Sequence, residues 1–130
     1  MSVAPGMAFC TVFFAYDCFI DACYKSLKLN PKYVTGQGVF WTELETKVTN
    51  AKARFWTDDY VTMAREARNS IAHRGGKAKK ELIDAIAKIS VPGEQIQIGP
   101  AGEVNVQASD CQVLSIKLKD KVSELIAAVL

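Results

Sequence analysis

The chain has 130 residues, of which 49% are hydrophobic and 23% are charged. This length fits one domain, and the composition is that of a globular protein with an apolar core, which excludes a disordered chain. Sixteen basic and 14 acidic residues leave a net charge of +2, too balanced to indicate a nucleic-acid-binding protein from charge alone. We therefore expect a single domain over residues 1–130, in which any anion site arises from local clustering.

The cysteines and the single histidine do not predict a metal site. Cys10, Cys18, Cys23 and Cys111 form no Cys-x-x-Cys pair, and His73 is the only histidine. Structural zinc sites use paired ligands at tight spacing, so we expect no metal and no other cofactor. We interpret the three cysteines that fall in one apolar stretch as buried free thiols of a cytosolic protein.

Residues 7–28 are predicted to form a helix with an unusually wide apolar face. Apolar side chains recur at three- and four-residue steps, while Asp17, Asp21, Lys25 and Lys28 form a narrow polar stripe. We interpret the two aspartates as part of this solvated stripe. Because they interrupt the apolar run and no basic residue precedes it, we expect a soluble, cytoplasmic protein without membrane contact.

The middle of the chain is predicted to contain a loop and two helices. Residues 31–40 carry one proline and two glycines and are predicted to be a loop, and residues 41–54 have helical apolar spacing. Thr57-Asp58-Asp59 is typical of a helix N-cap followed by acids in the first turn. The helix that starts there should end at residue 73 or 74, because Gly75-Gly76 stops it.

The last third of the chain contains the one strand signal. A helix is predicted over residues 77–89. Residues 95–98 and 103–106 then alternate polar and apolar side chains around the loop 99–102, which predicts a β-hairpin. A final helix should begin near Ser109 or Asp110. The predicted fold class is therefore mainly α, a helical bundle with a small β-hairpin before the last helix.

The helix before Gly75 carries the residues of greatest chemical interest. At about 100° per residue, one face is apolar and is predicted to face the core; it comprises Tyr60, Met63, Ala64, Ala67 and Ile71. Arg65, Asn69 and His73 recur every four residues and form a polar stripe roughly opposite, with Arg68 on the flank. We therefore expect His73 to face solvent or a partner.

These side chains are suited to cutting RNA without a metal. Arg68 offers a permanently charged fork that matches phosphate oxygens, and His73 can donate or accept a proton near neutral pH. Asn69 can orient the imidazole or a substrate, and Gly75-Gly76 leaves room for a polymer. In such a reaction a base takes the ribose 2′-hydroxyl proton, that oxygen attacks phosphorus, a cation stabilises the charge, and an acid protonates the leaving oxygen.

One histidine per chain does not easily serve as both base and acid. A two-fold dimer that brings two copies of this helix together would supply both. Arg68 and His73 are also about 140° apart around an ideal helix, so they do not share a face. They could converge through the reach of the arginine, through unwinding near Gly75, or across a dimer axis.

The segment Arg68-Asn69-Ser70-Ile71-Ala72-His73-Arg74-Gly75-Gly76 resembles the Arg-x4–6-His motif of the HEPN superfamily, with the polar residue that typically follows the arginine. Beyond the motif the resemblance extends loosely over residues 9–130. It implies a small helical bundle and, for many members, a metal-independent endoribonuclease of a toxin–antitoxin, abortive-infection or other defence system. It also implies catalytic roles for Arg68 and His73, support from Asn69, and an active site at a homodimer interface.

One position departs from part of that family. Gly75 stands where one toxin subgroup has a tyrosine two residues after the histidine, so modification by a partner nucleotidyltransferase at this position is not expected.

The partners expected from this interpretation are RNA, a second copy of the chain, and an antitoxin or other protein. We assign RNA-backbone binding to Arg65, Arg74 and Lys77, with Lys79 and Lys80 beside them; for the three lysines an ordinary solvated helix surface is the alternative. The alternative is a catalytically silent HEPN-like domain that binds RNA, nucleotide or a protein partner.

Simpler structural roles compete with these assignments. His73 and Arg74 would also complement the dipole at a helix C-terminus, and Arg65 and Arg68 would also form surface ion pairs with acidic neighbours, namely Asp58, Asp59 or Glu66. For the four aromatic side chains around the second predicted helix we favour packing over base stacking; they are Phe40, Trp41, Phe55 and Trp56.

Overall fold

The computed structural model describes residues 3–26, 45 and 54–129. In these residues the protein is mainly helical, with a two-stranded antiparallel hairpin before the last helix, as the sequence predicts. The helices are α1 (Val3–Ser26), α2 (Asp59–His73), α3 (Lys80–Ala87) and α4 (Ala108–Val129), and the strands are β1 (Gln97–Ile98) and β2 (Val104–Asn105). A short 3-10 helix, Pro92–Glu94, leads from α3 into the hairpin.

Helix α1 supplies one side of the core. It starts earlier than the predicted residue 7, and it packs against α2 and α4. Its buried side chains are Phe9, Phe13, Tyr16 and Ile20. Two large apolar side chains on its other side, Met7 and Phe14, are each 63% exposed, so within the described residues the wide apolar surface is only partly covered.

The composition of α1 also bears on the membrane question. The segment Pro5–Cys23 is long and apolar enough to cross a membrane by length and composition alone, a test that the core helix of a soluble protein and an N-terminal signal sequence also pass. The fold is therefore compatible with a soluble protein. All four cysteines are free thiols, but Cys18 is exposed, so the prediction that it is buried is wrong.

Helix α2 begins and ends as its sequence predicts. The Asp58 side chain caps the helix by accepting hydrogen bonds from the backbone N–H groups of Tyr60 and Val61, at 3.0 and 3.1 Å. At the other end, Gly75 and Gly76 have φ angles of +60° and +80°, a region that costs other residues free energy. Four of the five predicted core residues of α2 are buried, whereas Ile71 is half-buried.

The hairpin is anchored on the segment between α2 and α3. The predicted strands 95–98 and 103–106 are shortened to two residues each and are joined by residues 99–103, and their register pairs Gln97 with Asn105 and Ile98 with Val104. Lys77 forms an isolated bridge with Glu103. This pairing holds the chain extended after Gly76, so α3 starts at Lys80 and not at the predicted residue 77.

The predicted loop 31–40 and most of the predicted helix 41–54 lie outside the described residues, as do Phe40 and Trp41. Glu45 is helical and buried, and its Oε2 accepts hydrogen bonds from the backbone N–H groups of Trp56 and Thr57 at 2.8 and 2.9 Å. Phe55 and Trp56 are both buried in the core, which confirms packing as their role.

Candidate functional site

His73 is the last residue of α2, and its side chain is exposed, as its position on the helical wheel predicts. In the described part of the chain it forms no hydrogen bond and no ion pair. Gly75 and Gly76 come two and three residues after His73, and a Cβ atom on either would meet no described atom within 4 Å. The end of α2 is therefore open at His73 and the two glycines, as far as the described residues extend.

Arg68 is held in place by contacts on three sides. Its Nη1 lies 2.7 Å from Asp17 Oδ2, and its Nε donates a hydrogen bond to Asn69 Oδ1 at 3.0 Å. The guanidinium carbon lies 4.9 Å from the centre of the Phe13 ring, close enough for a cation–π contact. Only 19% of the side chain is exposed, so this arginine is an ordered group and not a mobile surface cation.

Asp17 is the partner of Arg68 that sequence reasoning missed. The interpretation of Asp17 as a solvated residue is wrong, because its side chain is 20% exposed and forms an ion pair with an arginine 51 positions later in the chain. The acidic neighbours Asp58, Asp59 and Glu66, proposed as partners of Arg68, do not pair with it. Burial raises the pKa of the Asp17 carboxyl, and the bonded Arg68 opposes that rise.

Arg68 and His73 do not meet within one chain. No contact joins the two side chains in the described residues, and the Asn69 oxygen accepts from Arg68. The reason is helical geometry, since residues five apart lie on different sides of an α-helix. Because α2 is regular up to His73, unwinding near Gly75 does not bring them together in this structure.

The three residues assigned to RNA binding are not equivalent. Arg65 was expected on the solvent-facing stripe, but its guanidinium lies over the Trp56 ring at 4.2 Å and donates to the Trp56 carbonyl at 3.1 Å. Burial lowers the pKa of Arg65. Arg74 is half-buried and lies 3.6 Å from Glu66, whereas Lys77 is exposed and donates to the Ala101 carbonyl at 3.2 Å.

Near His73, the most exposed basic side chains therefore belong to the segment after the glycines. Lys77, Lys79 and Lys80 are all exposed, and they follow His73 within seven positions. Their charge is available to the backbone of a polyanion, at a cost of little rearrangement.

A cleft of about 340 Å³ lies beside the N-terminal end of α2, away from His73. Two of its lining lysines form ion pairs with lining carboxylates, because Lys121 lies 3.3 Å from Asp58 and Lys117 lies 2.9 Å from Glu94. No sequence-predicted site residue lines it. Within the described residues, no three His, Cys, Asp or Glu side chains are grouped as metal ligands.

Comparison with known proteins gives no match to a protein family, to a curated protein or to a solved structure.

Proposed function

We propose that this domain is a metal-independent endoribonuclease, in which His73 transfers protons and Arg68 binds the scissile phosphate. The observation that carries the proposal is the exposed imidazole of His73, which pairs with no described residue and lies at an open helix end. A general acid–base group must be free to approach its substrate, and an exposed imidazole meets that requirement.

The fixed position of the Arg68 guanidinium also supports this function. The contacts with Asp17, Asn69 and Phe13 fix the guanidinium before substrate arrives, so little side-chain entropy is lost on binding a phosphate. An arginine fork offers two parallel N–H donors to phosphate oxygens, which a lysine cannot do. Asn69 has a supporting role here, because it holds the Nε side of the fork.

A complete site requires more than one copy of the chain under this proposal. Arg68 and His73 of one chain face different directions, and one imidazole does not easily act as both base and acid. In a homodimer, His73 side chains from two chains supply the base and the acid to one bound RNA. We place this activity in the cytoplasm and in a toxin–antitoxin or defence system, with an antitoxin or other protein as a further partner.

A second candidate function follows from a different observation. The charge of Arg68 is already neutralised by Asp17 at 2.7 Å, as it would be in a domain that no longer cuts RNA. Such a domain would bind RNA, nucleotide or a protein through the exposed lysines after Gly76.

One pair of measurements separates the two functions. The protein is incubated with single-stranded RNA in the presence of a chelator, and both cleavage and binding are followed. An endoribonuclease shortens the RNA, whereas a silent domain retards it on a gel and leaves it intact. Cleavage that stops when metal is removed would contradict the proposed mechanism.

A further inference from the structure

The ion pair between Asp17 and Arg68 joins two helices at the edge of the core. Both side chains are about one-fifth exposed, at 20% and 19%, and the pair is formed by Nη1 and Oδ2 at 2.7 Å. Asp17 lies on α1 and Arg68 on α2, so the contact is set by packing and not by local sequence. It is the only ion pair of Arg68 in the described part of the chain.

The pairing uses only part of each side chain. Carboxylates commonly accept two parallel bonds from an arginine fork, but here Asp17 Oδ1 is buried and has no hydrogen-bond partner among the described residues. On the arginine, Nε is bonded to Asn69, while Nη2 bonds to no described residue. The guanidinium therefore retains donors that another anion can use.

We propose that Asp17 is a positioning residue that occupies Arg68 as an internal anion, and that RNA phosphate competes with it for the guanidinium. This inference rests on the proposed function in one respect, namely that the competing anion belongs to RNA. A phosphate that binds the free donors of Arg68 comes close to the Asp17 carboxylate, and the two negative charges repel each other. Asp17 thus orders the arginine and at the same time weakens its attraction for phosphate.

The direction in which one substitution changes RNA affinity tests this competition. Asp17→Asn keeps the size of the side chain and removes its charge. If Asp17 competes with phosphate, the variant should bind RNA more tightly, by about five- to tenfold at low salt. Its salt dependence should also steepen by about 0.7 in log–log slope, the value of one added contact to single-stranded phosphate.

The binding probe is a single-stranded RNA with 2′-O-methyl groups, which cannot be cut by 2′-hydroxyl attack. Asp84→Asn is the matched control, because Asp84 is an exposed residue of α3 and its loss changes the net charge equally. Asp17→Asn in an Arg68→Ala background should give no gain. Asp17→Ser removes the same charge if the asparagine variant does not fold.

A second readout does not depend on RNA. An arginine-selective dicarbonyl reagent should modify Arg68 faster in Asp17→Asn than in the wild type, with the exposed Arg54 as the internal reference in peptide mass spectrometry. Faster modification together with tighter RNA binding supports the inference. Equal or weaker RNA binding by Asp17→Asn, in a protein that does bind RNA, overturns it. Faster modification without RNA binding by any variant refutes the proposed function and the phosphate competition, and leaves only the ion pair as a restraint on Arg68.

Discussion

Replacing His73 by alanine should separate activity from stability. The side chain is exposed and forms no hydrogen bond or ion pair with the described residues, so its loss should change the free energy of unfolding by no more than about 1 kcal/mol. That upper value is the contribution of a cation in the last turn of a helix. If His73 transfers protons, cleavage should fall by about 10²–10⁴-fold.

Leu114→Ala provides the matched control for stability. Leu114 is fully buried in α4, so its truncation should cost about 2–5 kcal/mol through lost burial and a residual cavity. For a domain of this size that corresponds to a fall in melting temperature of roughly 8–20 °C. Ile71 is a poorer control, because it is only half-buried.

Thermal denaturation and RNA cleavage are measured on the same preparations of the three proteins. We expect His73→Ala to have a melting temperature close to that of the wild type and to be inactive, and Leu114→Ala to have a clearly lower melting temperature. If His73→Ala is destabilised as strongly as Leu114→Ala, the histidine has a structural role, which would contradict its assignment as the proton-transfer group.

Three further predictions follow from the geometry. Gly75→Ala should lower the free energy of unfolding by about 1–2 kcal/mol because the residue has a φ of +60°, whereas Gly93→Ala, at ordinary φ and in open space, should change it by less than about 0.5 kcal/mol in urea denaturation. Burial raises the pKa values of Asp17 and Asp110, so just above the ordinary carboxyl pKa range the folded state binds more protons than the unfolded state. The free energy of unfolding should therefore fall as pH rises through that range. The fall should be smaller in Asp17→Asn, and an equal fall would show that Asp17 does not contribute. If one RNA is cut by His73 from two chains, adding inactive His73→Ala protein to a fixed amount of wild type should lower activity through mixed dimers, whereas unchanged activity would show that each chain works alone.

Much of the local structure is predictable because its causes are local. A capping side chain at Asp58 and two glycines with positive φ specify where α2 starts and ends, and these signals are contained within a few residues. The hairpin follows in the same way from alternating side chains around a glycine-containing loop. The shortened start of α3 was missed because it depends on the pairing of Lys77 with Glu103, which is a contact between distant segments.

The candidate site was predictable only in part. The helical period correctly places His73 in solvent and separates it from Arg68. The helical repeat also assigns Asp17 and Arg65 to the polar faces of their helices, but it does not show which element packs on each face. Asp17 is covered by α2, and Arg65 lies over Trp56. The position of Asp17 beside a wide apolar stripe was the one sequence signal that another helix could cover it. Its partner, Arg68, could be identified only from the folded chain.

The role proposed for His73 is to cut RNA by acid–base chemistry without a metal. The most direct test is to incubate unmodified single-stranded RNA with wild type and with His73→Ala in excess chelator, and to determine the chemistry of the new ends. We predict fragments with 2′,3′-cyclic phosphate ends from the wild type and none from the variant. Intact RNA with both proteins, or the same fragments from both, would contradict the claim.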